Sequence, residues 1–268
     1  MIPDYWQRQQ PNTPLFPDIV WQKPEQQSLA GKLLIIGGNT HGFAAVAQAY
    51  QDAKNAGAGE CRVVLPDALK KAIDPLALDC VYVPTNASGG ITKDALPPLK
   101  AAAAWADALL FIGDAGRNSE TAIVYEQLLQ AFPNKATVLT RDALDLIKTA
   151  LPALLHQPNT VLIATFAQLQ KTFQAVYYPR TLLFSMQLTN VVEALHKFTI
   201  TYPATVVVFH QNQLLVATHG KVSSTPWENP MLIWRGSVAA KAAVYAMQFP
   251  AQPFQAITTA LAKNLGAH

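Results

Sequence analysis

From residue 32 onward the chain alternates between short apolar runs and longer segments with helical spacing. Lys32–Gly37 (KLLIIG), Cys61–Leu65, Val81–Val83, Leu109–Gly113 (LLFIG), Thr137–Thr140 and Val161–Ala164 are continuous apolar runs, the pattern of parallel strands buried on both faces. Between them lie predicted helices: Phe43–Asn55, which stops at Gly57, then Pro66–Ile73, Thr92–Asp107, a segment from Asn118 to about Ala131, Arg141–Lys148 and Phe166–Val176. Asn118 suits an N-cap, because its side-chain oxygen accepts from the unpaired N–H groups of a first turn. Leu182–Phe198 reads as a longer helix with Phe184, Leu188, Val191, Leu195 and Phe198 on one face.

The rhythm changes near the C-terminus. Thr205–Phe209 and Gln213–Ala217 flank a short polar break and predict a hairpin. A Pro/Gly-rich loop follows, then two closing helices, Ser237–Met247 and Phe254–Leu265. Alternating strands and helices imply an α/β fold with a mostly parallel sheet, helices on both faces and a late antiparallel hairpin. Residues 1–30 stand apart as an extended arm carrying Pro3, Pro11, Pro14, Pro17, Pro24, Trp6 and Trp21. Proline opposes helix interiors and central strands. The aromatics imply that this arm packs on its own domain or on a neighbouring subunit, and both readings stand. Residues 31–268 then form a single domain.

Composition narrows the function. Half of the 268 residues are hydrophobic, enough for a sizeable core, and the formal charge is only +3 without a dense Lys/Arg run. This argues against nucleic-acid and anionic-membrane partners. No signal-peptide pattern and no apolar run of membrane-spanning length occurs, so the expected compartment is the cytoplasm. Cys61 and Cys80 start strand-like runs and read as reduced core thiols. No His or Cys spacing suggests a metal site.

Three loops carry candidate chemistry. Gly37, Gly38, Asn39 and Gly42 lie between a strand and a helix, where glycines let backbone N–H groups approach an anion. Phe43 stands where a P-loop needs Lys, and the spacing is not that of the dinucleotide fingerprint. A purely structural turn is the competing reading. Gly113, Asp114, Gly116, Arg117 and Asn118 form a second such loop, able to cradle a phosphate or simply to join strand to helix. Asp142 follows the strand ending at Thr140, either facing the ligand crevice of a parallel sheet or complementing a helix dipole.

The order of these pieces resembles the ADP/ATP-dependent NAD(P)H-hydrate dehydratases, a carbohydrate-kinase-related group of the ribokinase-like superfamily with a three-layer α/β/α sandwich. Gly31–Gly38, the loop to Gly42 and the helix ending at Gly59 resemble that family's opening. Ile112–Thr121 resembles its GPGLGR segment, Thr140–Leu144 its DADAL segment, and Glu228-Asn229-Pro230-Met231 its GNPGMA. The resemblance implies ADP or ATP with Mg²⁺ as cofactor, and NADH, NADPH or their hydrated forms as ligand. It implies nucleotide contacts from the two glycine loops, Asn229, Gly236 and Ser237.

In the family a GxGD motif presents backbone N–H groups to the transferring phosphate, and its Asp accepts the substrate proton. Aligned from Asn229, that motif here reads Gly236-Ser237-Val238-Ala239, so Ala239, which accepts no proton, stands at the Asp position. The family's TPHPGE segment is matched only by Ala164-Thr165-Phe166-Ala167-Gln168, and its late Lys-Gly falls around Phe209-His210. Three function classes remain: an impaired or inactive homologue that retains nucleotide or dinucleotide binding, an active dehydratase or small-molecule kinase whose base is Asp114 or Asp142, and a structural or assembly protein, a homo-oligomer joined through the arm.

Overall fold

The computed structural model describes residues 3–74 and 77–262. The elements in chain order are β1 (Trp6–Arg8), α1 (Pro17–Trp21), β2 (Lys32–Gly37), α2 (Ala44–Asn55), β3 (Glu60–Pro66), β4 (Cys80–Val83), α3 (Leu96–Trp105), β5 (Ala108–Gly113) and α4 (Ser119–Ala131). There follow β6 (Ala136–Thr140), α5 (Asp142–Leu146), α6 (Leu151–Leu155), β7 (Thr160–Ala164), α7 (Phe166–Ala175), α8 (Leu188–Thr201), β8 (Thr205–His210), β9 (Gln213–Thr218), β10 (Lys221–Pro226), α9 (Met231–Trp234), α10 (Ser237–Gln248) and α11 (Pro253–Ala260).

The strands form one sheet in the order β1-β10-β9-β8-β7-β6-β5-β2-β3-β4. Its pairings are parallel except those of β9, which runs against both β8 and β10. Successive residues of each central strand enter opposite cores. Leu34, Ile36, Leu109 and Phe111 join the layer beneath α3, α4 and α6–α8, whereas Leu33, Ile35, Leu110 and Ile112 join the layer beneath α2 and α9–α11. Burial on both faces is why these strands are apolar throughout rather than alternating. The result is the expected three-layer α/β/α arrangement.

Chain direction reverses across the sheet between β2 and β5. From β2 the chain moves outward through β3 and β4, then returns to β5 on the other side of β2. Ligands of open α/β sheets bind at such a switch point, beyond the carboxyl ends of the strands. Both glycine loops lie there.

Several elements depart from the sequence reading. The long predicted helix begins at Leu188, not Leu182, and Phe184 is 75% exposed. The Met186 carbonyl accepts from His210 Nε2 and Gln211 Nε2, which holds residues 183–187 in a turn outside the helix. Pro66–Ile73 contains only a 3-10 turn at Asp67–Leu69. The Pro/Gly-rich loop after the hairpin contains β10, joined to β9 by His219 and Gly220 at φ 48° and 76°. That turn needs two left-handed residues, and only one is glycine. The last closing helix ends at Ala260, and residues 263–265 of its predicted span lie outside the described residues.

The arm is not merely extended. β1 adds a parallel edge strand to β10, and Trp6 is buried with its indole Nε1 donating to Ser224 Oγ at 3.0 Å. Buried Gln9 donates to Thr225 Oγ1 at 3.0 Å and to the Thr258 carbonyl at 2.8 Å. Pro17 opens α1 from its first turn, where a missing N–H is harmless. Ile19 on α1 packs with Tyr245, Ala256 and Ala260. Lys23 then reaches the Ala56 carbonyl at the end of α2, at 2.5 Å. Residues of this segment thus pack on β10, α10, α11 and the end of α2.

Candidate functional site

The first glycine loop turns its donors inward. The N–H of Gly38 donates to the Gly113 carbonyl at 2.8 Å, that of Asn39 to Gly42 at 2.9 Å, and that of Thr40 to Gly89 at 2.9 Å. The His41 N–H donates to Asn39 Oδ1 at 2.7 Å and that of Gly42 to the Asn39 carbonyl at 3.1 Å. No backbone donor from Gly38 to Gly42 is left pointing at a ligand. Gly37 is glycine because a Cβ there would lie 2.4 Å from the Gly113 carbonyl oxygen. The amides of residues 38–42 are thus used within the protein. Gly42 keeps open space around it.

The second loop is closed by the protein's own carboxylates. Asp142 Oδ1 accepts from the Asp114 N–H at 2.8 Å, and Oδ2 from the Gly116 N–H at 3.1 Å. Asp142 therefore fills the place an external oxyanion would take among these amides. Asp114 performs the same office for α2. Its Oδ2 accepts from the Ala45 N–H at 3.2 Å, near the positive end of the helix dipole, and its Oδ1 pairs with Arg141 Nη2 at 2.5 Å. Asn39 Nδ2 donates to the Asp114 carbonyl at 2.7 Å, tying the two loops together.

Asn118 caps α4 as expected, accepting from Glu120 N–H at 2.8 Å and Thr121 N–H at 3.3 Å. Arg117 points to the other side of the loop, into a separate cavity of about 320 Å³ that it shares with Asn118, Asp142, Lys148 and Lys171. Asn229 serves its own turn: its carbonyl accepts from Trp227 Nε1 at 2.7 Å and its Oδ1 from the Met231 N–H at 3.1 Å.

Gly236 is the N-cap of α10 at φ 95°, and a Cβ there would meet Ile112 Cδ1 at 2.5 Å. Ser237 opens that helix. No side chain caps it, in contrast to α4 and α7. Ala239 is the third residue of the helix and has no exposed surface; it packs with Val238 in the core shared by α2 and α10.

An open crevice of about 470 Å³ lies between the start of α2, the second loop and α9. Arg141, Arg235, Asp114, Gln48, Trp234 and Met231 line it. Trp234 and Met231 are 48% and 44% exposed, although both are large and apolar. Sequence reasoning did not single out Arg141, Arg235 or Trp234 as site residues. The available signal was an arginine wedged between a strand end and a helix-opening aspartate. Arg141 has φ 57° and ψ −139°, a region costly for any side chain with a Cβ. It is held by the Asp114 pair and by Gln168 Nε2, which donates to the Arg141 carbonyl at 2.7 Å. Among the described residues no cluster of three or more His, Cys, Asp or Glu side chains has the arrangement to hold a metal ion.

Neither a family model nor a curated protein matches the chain. Solved structures do. A ribokinase-like superfamily protein from Enterococcus faecalis superposes with a TM-score of 0.72 at 15% identity, over 97% of this chain and 86% of that one. The ADP/ATP-dependent NAD(P)H-hydrate dehydratase of Bacillus subtilis, co-crystallized with ATP/Mg²⁺, matches with a TM-score of 0.58 at 13% identity, over 91% of this chain and 83% of that one. A Bacillus subtilis pyridoxal kinase in complex with ADP matches with a TM-score of 0.55 at 13% identity, over 86% and 88%. The chain therefore has the ribokinase-like fold.

Proposed function

We propose that this protein binds a nucleotide or dinucleotide at the switch-point crevice without carrying out the phosphoryl transfer and dehydration of the hydrate dehydratases it resembles. The observation that carries this reading is the state of the three candidate positions for a base. Ala239 stands where the resemblance expects the aspartate and is sealed in the core. Asp114 is engaged by Arg141 and Ala45, and Asp142 by two backbone amides. A general base must reach the substrate proton with a lone pair to spare. In this structure each oxygen of the two acids accepts a hydrogen bond from the protein itself.

Binding is a separate matter from turnover. The uncapped first turn of α10 retains donors suited to a phosphate. A nucleotide would contact Ser237 at the start of α10. Magnesium brought in with it needs few protein ligands, because phosphates and water supply most of its shell; Asp114 is the acid lining the crevice.

The test is thermal unfolding with ADP, ATP, AMP, NAD⁺, NADH and NADPH, with and without Mg²⁺, paired with a dehydration assay on hydrated NADH. A ligand at about 100 times its dissociation constant stabilises by roughly 2.7 kcal/mol, a rise of about 2–4 °C for a chain of this size. The expected result is a shift with an adenine nucleotide or dinucleotide and no dehydration. Ready turnover would sink the proposal. If turnover occurs and survives in Asp114→Asn and Asp142→Asn variants, neither acid is a displaced base.

A further inference from the structure

We propose that Arg141 and Arg235 form the recognition element of the crevice, binding the phosphate of an aromatic phosphate compound whose ring lies against Trp234, and that Asp114 is a built-in competitor which the ligand displaces from Arg141. This rests on the binding function proposed above and names the groups that perform it.

The crevice is unbalanced in charge. Two guanidinium groups line it with a single carboxylate, Asp114. Arg141 holds that carboxylate at 2.5 Å, while Arg235, among the described residues, makes no ion pair. Guanidinium groups bind phosphate in paired, charge-assisted hydrogen bonds, and are less strongly hydrated than ammonium groups. A site with one arginine already holding an oxyanion, and a second in no ion pair among the described residues, suits a ligand with a dianionic end.

The Arg141–Asp114 pair lies at the crevice wall with part of each side chain open to solvent, at side-chain exposures of 27% and 22%. Pairs that solvent reaches are weak, so an incoming phosphate can exchange with the carboxylate. Asp114 also keeps an independent partner, the Ala45 N–H, and does not need Arg141 to stay satisfied. The backbone of Arg141 points the same way. A residue with a Cβ is held at φ 57° and ψ −139°, where glycine alone is comfortable. Such outliers persist when the side chain has to be in a particular place, and this one is placed in the crevice.

The apolar wall supplies the second half of the ligand. Trp234 and Met231 leave nearly half of their surface open on the crevice side of the molecule. An exposed indole beside arginines is a stacking surface for a planar ring.

The experiment is titration calorimetry with AMP, adenosine and inorganic phosphate on the full chain and four variants. AMP is expected to bind at least about tenfold more tightly than adenosine or phosphate, since a charge-assisted pair is worth about 1.5 kcal/mol or more and about 1.4 kcal/mol is tenfold. Arg141→Gly and Arg235→Ala are each expected to weaken AMP by about tenfold or more. Arg141→Gly relieves the backbone conformation, so its loss of binding is not a loss of folding. Asp114→Asn is expected to tighten AMP, because it removes the internal competitor. Trp234→Ala is expected to weaken AMP while leaving inorganic phosphate unchanged.

The proposal is overturned if AMP binds both arginine variants as it binds the natural chain, or if adenosine binds as well as AMP. It is also overturned if a folded Asp114→Asn variant binds AMP less well. If Asp114→Asn does not fold, the two arginine variants decide the matter. Nucleotide binding that ignores both arginines rejects this inference and leaves the proposed function standing. Dehydration of hydrated NADH, with binding still dependent on the arginines, does the reverse. Absence of binding by AMP and every other nucleotide rejects both.

Discussion

A single alanine shows how position governs chemistry here. Ala239 sits three residues into α10 with no exposed surface, in the core shared by α2, α10 and the sheet. Restoring an aspartate there places an ionisable group among apolar side chains, where a polar group without partners is costly. Ala239→Asp is expected to destabilise the protein by about 3 kcal/mol, measured by denaturant unfolding, and to yield no dehydratase activity. A folded variant of unchanged stability would show that the start of α10 opens toward solvent more than the structure indicates. The neighbouring acids teach the complementary lesson. Asp114 and Asp142 have the right residue type in the right place by sequence, yet their oxygens face amides and Arg141. Sequence locates such carboxylates but says nothing of which way their oxygens turn.

Among the elements, β1 and α1 change the picture most. A proline-rich segment gives no periodic pattern, because three residues of strand and five of helix are too short to display one. What commits them is contact with residues more than 200 positions away, such as Ser224 and Thr258. The two tryptophans of the arm measure this. Trp6 is 6% exposed and Trp21 is 85% exposed. Trp6→Ala is expected to lower stability by about 3 kcal/mol, and Trp21→Ala by less than about 0.5 kcal/mol. Equal effects would mean that β1 does not add to β10. The misread start of α8 has a related cause: Phe184 matches the helical period, but hydrogen bonds from His210 and Gln211 to Met186 keep it outside the helix.

Across the whole molecule, one sheet divides two cores, and a buried thiol reports on its integrity. Cys61 lies at 7% exposure on β3, and burial pushes its thiol up to about 12. The unfolded thiol titrates near about 8.5. The folded state thus holds the proton more tightly, so this contribution to stability is complete below about pH 8.5 and is lost as pH rises toward 12. Alkylation of Cys61 at pH 8 is expected to proceed only at the rate of sheet opening, and more slowly than that of the half-buried Cys80 on edge strand β4. Equal rates, followed by peptide mapping, would contradict that order. Among the described residues no helix is long and apolar enough to cross a membrane.

The alternation of apolar runs and helical segments determined the three-layer architecture and most of its element positions, because a strand buried on both faces must be apolar throughout whatever its neighbours are. Gly113, Gly116 and Asn118 were legible for the same kind of reason: tight turns and helix caps are local, and local chemistry is written in adjacent residues. Only the tertiary structure decided where hydrogen bonds between distant segments go. It turned the amides of Gly38–Gly42 inward, filled the Gly116 loop with Asp142, buried Ala239, and brought Arg141, Trp234 and Arg235 to one crevice. Those pairings join residues tens to hundreds of positions apart, and no pattern along the chain encodes which donor a given carboxylate will meet.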